Sequence, residues 1–399
     1  MQEGSSCVFC HSISAVDQRG NGDYVVTPPR KYLWEGTTGW KKQVSDFMIR
    51  AVPRQHLADY DRNLLRSPEF CGACHKQFIP EALNRFGLAP SQNQYDEWRN
   101  SHWRDDEVDK NLSCRDCHMR LVRESTDPGR GENADVRRSP DDGAHRHHGT
   151  IATNMFMPAV LKLPGWETQV ALTREWIEGK TVLPEIAHLW PAGPVASVQL
   201  LGPDEARPEE EMALRVLIGN RKAGHNLITG PLDFMRVWVH LRVLDARGTV
   251  LFERGGIDPV TREISDEPGQ RHRLGNPRDE GTLVLEGSPV DGEGELLRKH
   301  ELWKSAGGHG VRVVFPGYSD HQVYRFTPPP GVQGPLRVQA DVNFRRYRQE
   351  FLDLVVPRME EESGVFQPHA TQASAEMTIP VSGGASTGVP SARVAREGR

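Results

Sequence analysis

No cysteine follows residue 118 in this 399-residue chain. No apolar run approaches the roughly 18 residues that a membrane-crossing helix needs, and nothing in the sequence reads as a transmembrane segment. No strong excess of one sign is present. The formal net charge is −5, which argues against a nucleic-acid or anionic-membrane partner. The first residues, MQEGSSCVFCHS, lack the basic and apolar regions of a signal peptide. No Ser-His-Asp arrangement and no phosphate-cradling glycine loop stands out, and the glycines at 129–131 and 382–384 read as loop residues. What remains is a soluble composition, 37% hydrophobic and 26% charged, in a chain long enough for more than one core.

The six cysteines make up for their confinement by their pattern. They fall in three copies of C-x-x-C-H: CVFCH at 7–11, CGACH at 71–75 and CRDCH at 114–118. Two thiols three positions apart can each form a thioether to one haem vinyl group, and the histidine that follows then supplies a nitrogen to the iron. On this reading Cys7, Cys10 and His11 form one covalent haem site. Cys71, Cys74 and His75 form the second, and Cys114, Cys117 and His118 the third. Structural zinc wants four ligands per metal, so three pairs do not divide into whole sites and the trailing histidines go unexplained. A thioredoxin-like motif lacks its βαβ setting, and disulfides would not choose the same two-residue spacer three times. The expected cofactor is therefore haem c, three copies, covalently attached. Covalent haem attachment belongs outside the cytoplasm. The expectation is accordingly an extracytoplasmic protein of periplasm or cell surface, with its leader removed or its start truncated and room for further haems upstream.

Each haem iron has two axial positions, and the motif fills one. A low-potential carrier closes the other with a second histidine, whereas a catalytic haem leaves it open. Sixteen histidines are present. The candidates for the second position are His56, between the first two motifs; His102, between the second and third; and one of the cluster in GAHRHHG, where His147 and His148 rank ahead of His145. His225 in AGHNLITG and His300 in LRKHELW are weaker candidates that would have to reach back from the C-terminal part, and a structured-loop role fits them better. His188, His240, His272, His309, His321 and His369 read as ordinary surface or core histidines. Met119 directly follows His118 and is poorly placed for the far side of that iron, while Met155 and Met157 read as core.

The organisation is α+β and multidomain. Residues 1–165 form the haem-bearing module, with short helices around the second motif and in NQYDEWRNSHWRDD and with loops elsewhere. Trp34, Trp98 and Trp103 are expected to pack on haem or in the core. Residues 127–143 form a polar loop. Residues 166–194 form a helical linker, with WETQVALTREWIEGK at helical spacing ending at Gly179. Residues 195–382 alternate apolar and polar positions in short segments punctuated by Gly, Pro and Asp, the pattern of an antiparallel β-sandwich. FRRYRQEFLDLV at 344–355 adds a short helix. Residues 383–399 are low in apolar content and expected to be disordered.

Taken together, FCGACHKQFIPEALN, QNQYDEWRNSHW, SCRDCHM, HRHHGTIATN, AGHNLITGPLDFMRVWVHLRVLDARG and FRRYRQEFLDL resemble multihaem c-type cytochromes of the cytochrome c-554 type, and more closely a bacterial group in which such a module precedes an Ig-like β-domain. The resemblance runs from residue 7 to about 355. The haem motifs are its specific part and the β-domain its looser part. It implies extracytoplasmic electron transfer by mostly bis-histidine haems, with His102 and one histidine of HRHH among the distal ligands. The chain departs from such proteins in having three haem motifs where they often carry four or more, and in having Ile228 where they commonly carry proline before Thr-Gly.

Three functions remain in view. The first is an electron carrier between redox partners such as other cytochromes, which needs closely spaced irons and no substrate pocket. The second is a haem oxidoreductase acting on a small nitrogen or sulfur compound, which needs one open iron with acid–base groups beside it. No C-x-x-C-K motif supports it. The third is a haem-bearing docking protein whose β-domain binds a partner.

Overall fold

The computed structural model describes residues 7–52, 54–60, 63–122, 145–265 and 281–382. The side chains of Cys7, His56, His145 and His309 lie outside what it describes, as do the polar loop at 127–143 and the tail at 383–399. The fold mixes short helices with antiparallel sheet.

The N-terminal part is built around the cysteine motifs. Helix α1 (Cys7–Ser12) carries the first and runs into the hairpin β1 (Ile13–Val16) and β2 (Tyr24–Val26). Helices α2 (Trp40–Ala51) and α3 (Arg54–Tyr60) follow. Helix α4 (Pro68–Gly72) carries Cys71, and the helical turn continues through the second motif to His75. Pro68 opens α4 and Glu69 sits in its first turn, both favourable at a helix start. A Cβ on Gly72 would lie 2.7 Å from the Tyr95 ring, so this helix needs glycine to lie against Tyr95. Strand β3 (Lys76–Ile79), helix α5 (Glu81–Asn84), strand β4 (Ala89–Asn93) and helix α6 (Gln94–Arg99) come next. Asn93 caps α6 by accepting from Asp96 N–H at 3.3 Å. Helix α7 (Cys114–His118) is the third motif. It opens with a capping box in which Ser113 N–H and Oγ donate to Asp116 Oδ2 at 2.7 and 2.8 Å. The two-residue strands β5 (Leu121–Val122) and β6 (His145–Arg146) pair behind it.

Helices α8 (Phe156–Leu161) and α9 (Trp166–Ile177) lead into the sheets, and α9 ends shortly before Gly179 at φ 70°. Residues 166–194 do more than link. Trp176, Leu183, Ile186 and Trp190 join Leu112 and Ile151 in a second apolar core on which Trp103 and Cys117 pack. The stretch is apolar because it walls the third motif.

The remaining strands are β7 (Ala196–Leu201), β8 (Met212–Asn220), β9 (Arg236–Leu244), β10 (Val250–Arg254), β11 (Val284–Val290), β12 (Gly307–Arg312), β13 (Ser319–Phe326), β14 (Leu336–Arg345) and β15 (His369–Ile379). They form one sheet in the order β12-β11-β9-β14-β15, with β10 also on β9, and a second in the order β13-β8-β7. Alternation sets the register: Val338, Ala340 and Val342 of β14 stand opposite Val243, Leu241 and Val239 of β9. All six are fully buried, and with Leu214, Val216 and Ile218 of β8 they form one core shared by both sheets. Met155 is part of that core, and Met157 packs against it. Helices α10 (Gln349–Val355) and α11 (Met359–Ser363) sit between β14 and β15.

Candidate functional site

The three motifs lie next to one another. The side-chain contact of Cys71 with Cys114 holds the Cys71 thiol below its ordinary pKa and, with burial, pushes Cys114 well above it. Cys74 is raised by desolvation first and then by the nearby Cys10 and Cys71. The first motif therefore touches the second electrically through Cys10 and Cys74, and the second touches the third through Cys71 and Cys114.

Two histidine pairs stand out. The rings of His11 and His148 are 6.3 Å apart between centres, with planes 29° from parallel. The rings of His118 and His225 are 6.2 Å apart at 19°. With a metal–nitrogen bond of roughly 2 Å and about 1.15 Å from nitrogen to ring centre, two imidazoles across one metal ion lie about 6.3 Å apart. Both pairs meet that spacing.

Ring orientation at the second pair is fixed from behind. His118 Nδ1 lies 2.6 Å from the Ile151 carbonyl and His225 Nδ1 lies 3.2 Å from the Asn226 carbonyl. In each ring the contact engages Nδ1, so Nε2 is the nitrogen available to a metal ion. Desolvation, then repulsion from His118, pushes the His225 pKa down to about 4. Desolvation also lowers His118. Burial thus favours the neutral form of both rings, the form that donates a lone pair to a metal. Two buried donors in this region, Trp103 Nε1 and Arg120 Nε, have no acceptor among the described residues, and haem carboxylates are groups that would suit them. The residues thus fit a haem between His118 and His225. Among the described residues no three His, Cys, Asp or Glu side chains converge as a bare metal ion would require.

The segment that brings His148 into place is anchored by its neighbour. Arg146 is 8% exposed; its Nη2 lies 2.9 Å from Asp116 Oδ1 and its Nη1 donates to the Met119 carbonyl at 2.9 Å. Asp116 lies within the third motif, so that motif holds the loop that faces the first. His147 instead accepts the Gly149 N–H at 2.9 Å through Nδ1. The ring that stands opposite His11 is that of His148.

The other candidates are placed differently. No described imidazole stands opposite His75. His102 is exposed, packs on Trp103 at 4.5 Å and lies near Gly317, away from any motif histidine's ring. His56 is on α3, its side chain outside the described ones. His300 bonds Asp233 through Nδ1 at 3.0 Å and packs on Phe234, a role inside the C-terminal part. His240 bonds Glu253 at 2.7 Å. Trp98 and Trp103 pack on Gly224, and Trp34 packs on Trp40.

His225 is the candidate whose ring faces that of His118. It sits on the connection between β8 and β9, far along the chain from His118, and reaches it by a turn whose Leu227–Ile228 peptide is cis. The signal that was available is Gly224: a Cβ there would lie 3.2 Å from Trp98 and 3.6 Å from Trp103, so the glycine marks where this loop presses against the N-terminal part.

Comparison with known proteins adds little to these residues. No protein-family model matches the chain, and no curated protein matches it. Among solved structures, a penta-haem cytochrome c552 from Thermochromatium tepidum is similar at a TM-score of 0.49 and 14% identity, over 94% of this chain and 76% of that one. The CARDB domain of the PF1109 protein from Pyrococcus furiosus is similar at a TM-score of 0.21 and 13% identity, over 47% of this chain and 89% of that one. AvmM, described as catalysing macrocyclization in alchivemycin A biosynthesis, is similar at 0.21 and 11%, over 49% and 93%. At such scores the functional reading rests on this chain's own residues. Among the described residues no helix is long and apolar enough to cross a membrane.

Proposed function

We propose that this chain is an extracytoplasmic multihaem c-type cytochrome that passes electrons between redox proteins, other cytochromes among them, through three neighbouring haems. The observation that carries the reading is the pairing of motif histidines with distant histidines at the bis-imidazole spacing, 6.3 Å at His11 and 6.2 Å at His118. Haem c supplies one-electron iron chemistry with little change of geometry when both axial positions hold imidazole.

The chain's part is to hold, order and insulate. Cys7 and Cys10, Cys71 and Cys74, and Cys114 and Cys117 would hold the three haems covalently, with His11, His75 and His118 as proximal ligands. His148 would close the first site and His225 the third. Of the two remaining candidates, His102 lies away from the motif rings, which leaves His56, on α3, for the second site. The proposed division is a haem module at 1–165, a helical linker at 166–194, an Ig-like β-domain at 195–382 and a tail beyond it, the linker walling the third site with Trp176, which lies 5.4 Å from His118.

The test is a pair of variants. His148→Met changes the spectrum and lowers the ligand field of one haem, while His147→Met leaves all haems as they were. If both variants match the parent, the assignment of His148 is wrong.

A second reading has one observation behind it: no described imidazole faces His75. A haem held there with an open position would suit reduction or oxidation of a small nitrogen or sulfur compound. Carbon monoxide binding to the reduced wild-type protein decides it, since a fully bis-histidine carrier binds none.

A further inference from the structure

One face of helix α6 is devoted to the loop that carries His225. Gln94, Glu97 and Trp98 are spaced i, i+3 and i+4, which puts them on one side of the helix. Gln94, with its amide turned to satisfy both partners, donates to the His75 carbonyl at 3.0 Å and accepts the Gly230 N–H at 3.3 Å. Trp98 packs on Gly224. Between them Glu97 receives three donors. Its Oε2 accepts the Asn226 N–H at 3.0 Å and the Thr229 hydroxyl at 2.7 Å, and its Oε1 accepts Asn226 Nδ2 at 2.9 Å. From the other side the loop is tied to the sheets. Asn220 Nδ2 donates to the His225 carbonyl at 2.8 Å, and Leu227 exchanges backbone hydrogen bonds with Val314 at 2.9 and 2.6 Å.

We propose that Glu97 is a positioning residue for the third haem: its carboxylate clamps residues 226–229 of the β-sheet part to α6 and so sets His225 opposite His118. The proposal rests on the reading that His118 and His225 share one iron. A half-buried carboxylate without hydrogen bonds is costly, so a glutamate at this seam has to be explained by its partners. The choice of glutamate follows from their chemistry. All three are donors, and a carboxylate offers only acceptors, on two oxygens. Glutamine would present one oxygen and turn an NH2 group against a donor. The sheets alone fix the carbonyl of His225 and the far end of the loop. Glu97 fixes the side that looks into the N-terminal part.

The experiment uses the haem-loaded full chain, its haem count established by intact mass, and titrates the reduced protein with carbon monoxide. Glu97→Gln and Glu97→Ala are expected to bind one equivalent of carbon monoxide more per chain than wild type, as His225→Gly does. Amide hydrogen exchange at residues 225–230 is expected to quicken by roughly tenfold or more as the clamp's hydrogen bonds are lost. Sheet amides in β9 and β14 keep their wild-type protection, which a general loosening of the fold would not allow. Thr229→Val removes one of the three donors without touching the charge; it is expected to quicken exchange over the same residues, and it reports even where the Glu97 variants do not load haem. The proposal is overturned if His225→Gly gains an equivalent while Glu97→Gln or Thr229→Val leaves both carbon monoxide binding and exchange at wild-type values. If His225→Gly itself gains none, the shared iron is wrong, and the role of Glu97 falls with it.

Discussion

Removing the Arg146 guanidinium should destabilise the N-terminal part by about 3 kcal/mol or more and, on the proposed reading, should disturb the site formed by His11 and His148. Arg146 and Asp116 form a buried pair at 2.9 Å, with side chains 8% and 3% exposed. Glu185, equally buried, stands 3.8 Å from the same guanidinium. Removing one partner of a buried pair typically costs about 3–5 kcal/mol, because the other charge stays buried without its counterion. Asp116 retains the Ser113 N–H and hydroxyl, which argues for the lower end. Arg146→Met keeps length and apolar bulk and deletes the charge. For a unit of this size the loss corresponds to a fall in Tm of roughly 6–12 °C, read by near-ultraviolet circular dichroism. Because His148 lies two residues on, the same variant should show partial loss of the low-spin signal of one haem. Adding Asp116→Asn should restore more than half of the lost stability, since the stranded charge is what costs. A fall in Tm of less than about 2 °C, or a double variant no better than the single, would refute the anchoring role.

Two further outcomes follow from the same geometry. Burial, with the hydrogen bond to Glu69 at 3.0 Å, pushes the Tyr95 hydroxyl up to about 12. Its folded pKa is above the unfolded value near 10, so its share of stability is fully present below pH 10 and lost as pH rises through 12; Tyr95→Phe should flatten that loss in a Tm-against-pH series, and an unchanged slope would count against it. Trp190 stacks on Trp176 at 5.4 Å and lies under the Lys222 ammonium at 3.6 Å; Trp190→Ala should cost about 3–5 kcal/mol in chemical denaturation, and a cost below about 1 kcal/mol would mean that the second core is not what walls the third motif.

The three motifs stand out in the sequence because C-x-x-C-H is a fixed local spacing that occurs three times. Strands β8, β9 and β14 were legible because each buries one or both faces in a single core and reads as alternation or as an apolar run. Strand β15 was not. HATQASAEMTI buries small residues such as Ala370 and Ala373, which stand beside Phe344 and Val342 of β14, and small residues leave a weak hydrophobic signal. Helix α9 was legible from its spacing, but its own Trp176 and the Leu183 and Trp190 that follow it are apolar because of contacts with Leu112 and Ile151 far away in sequence. The same distance hid which rings face the motif histidines. His148 faces His11, two residues after Arg146 is held on Asp116. His225 meets His118 only after two sheets and a helix have been assembled around the loop. His300, which has the same look in sequence, is claimed by Asp233 instead.

The central claim is that motif histidines and distant histidines share irons. Low-temperature electron paramagnetic resonance on the oxidised protein, with the haem count fixed beforehand by intact mass, tests it most directly. The account expects three haems, with low-spin ferric signals from at least the two sites at His11–His148 and His118–His225. High-spin signals from two or more haems, or a mass that carries fewer than three, would contradict it.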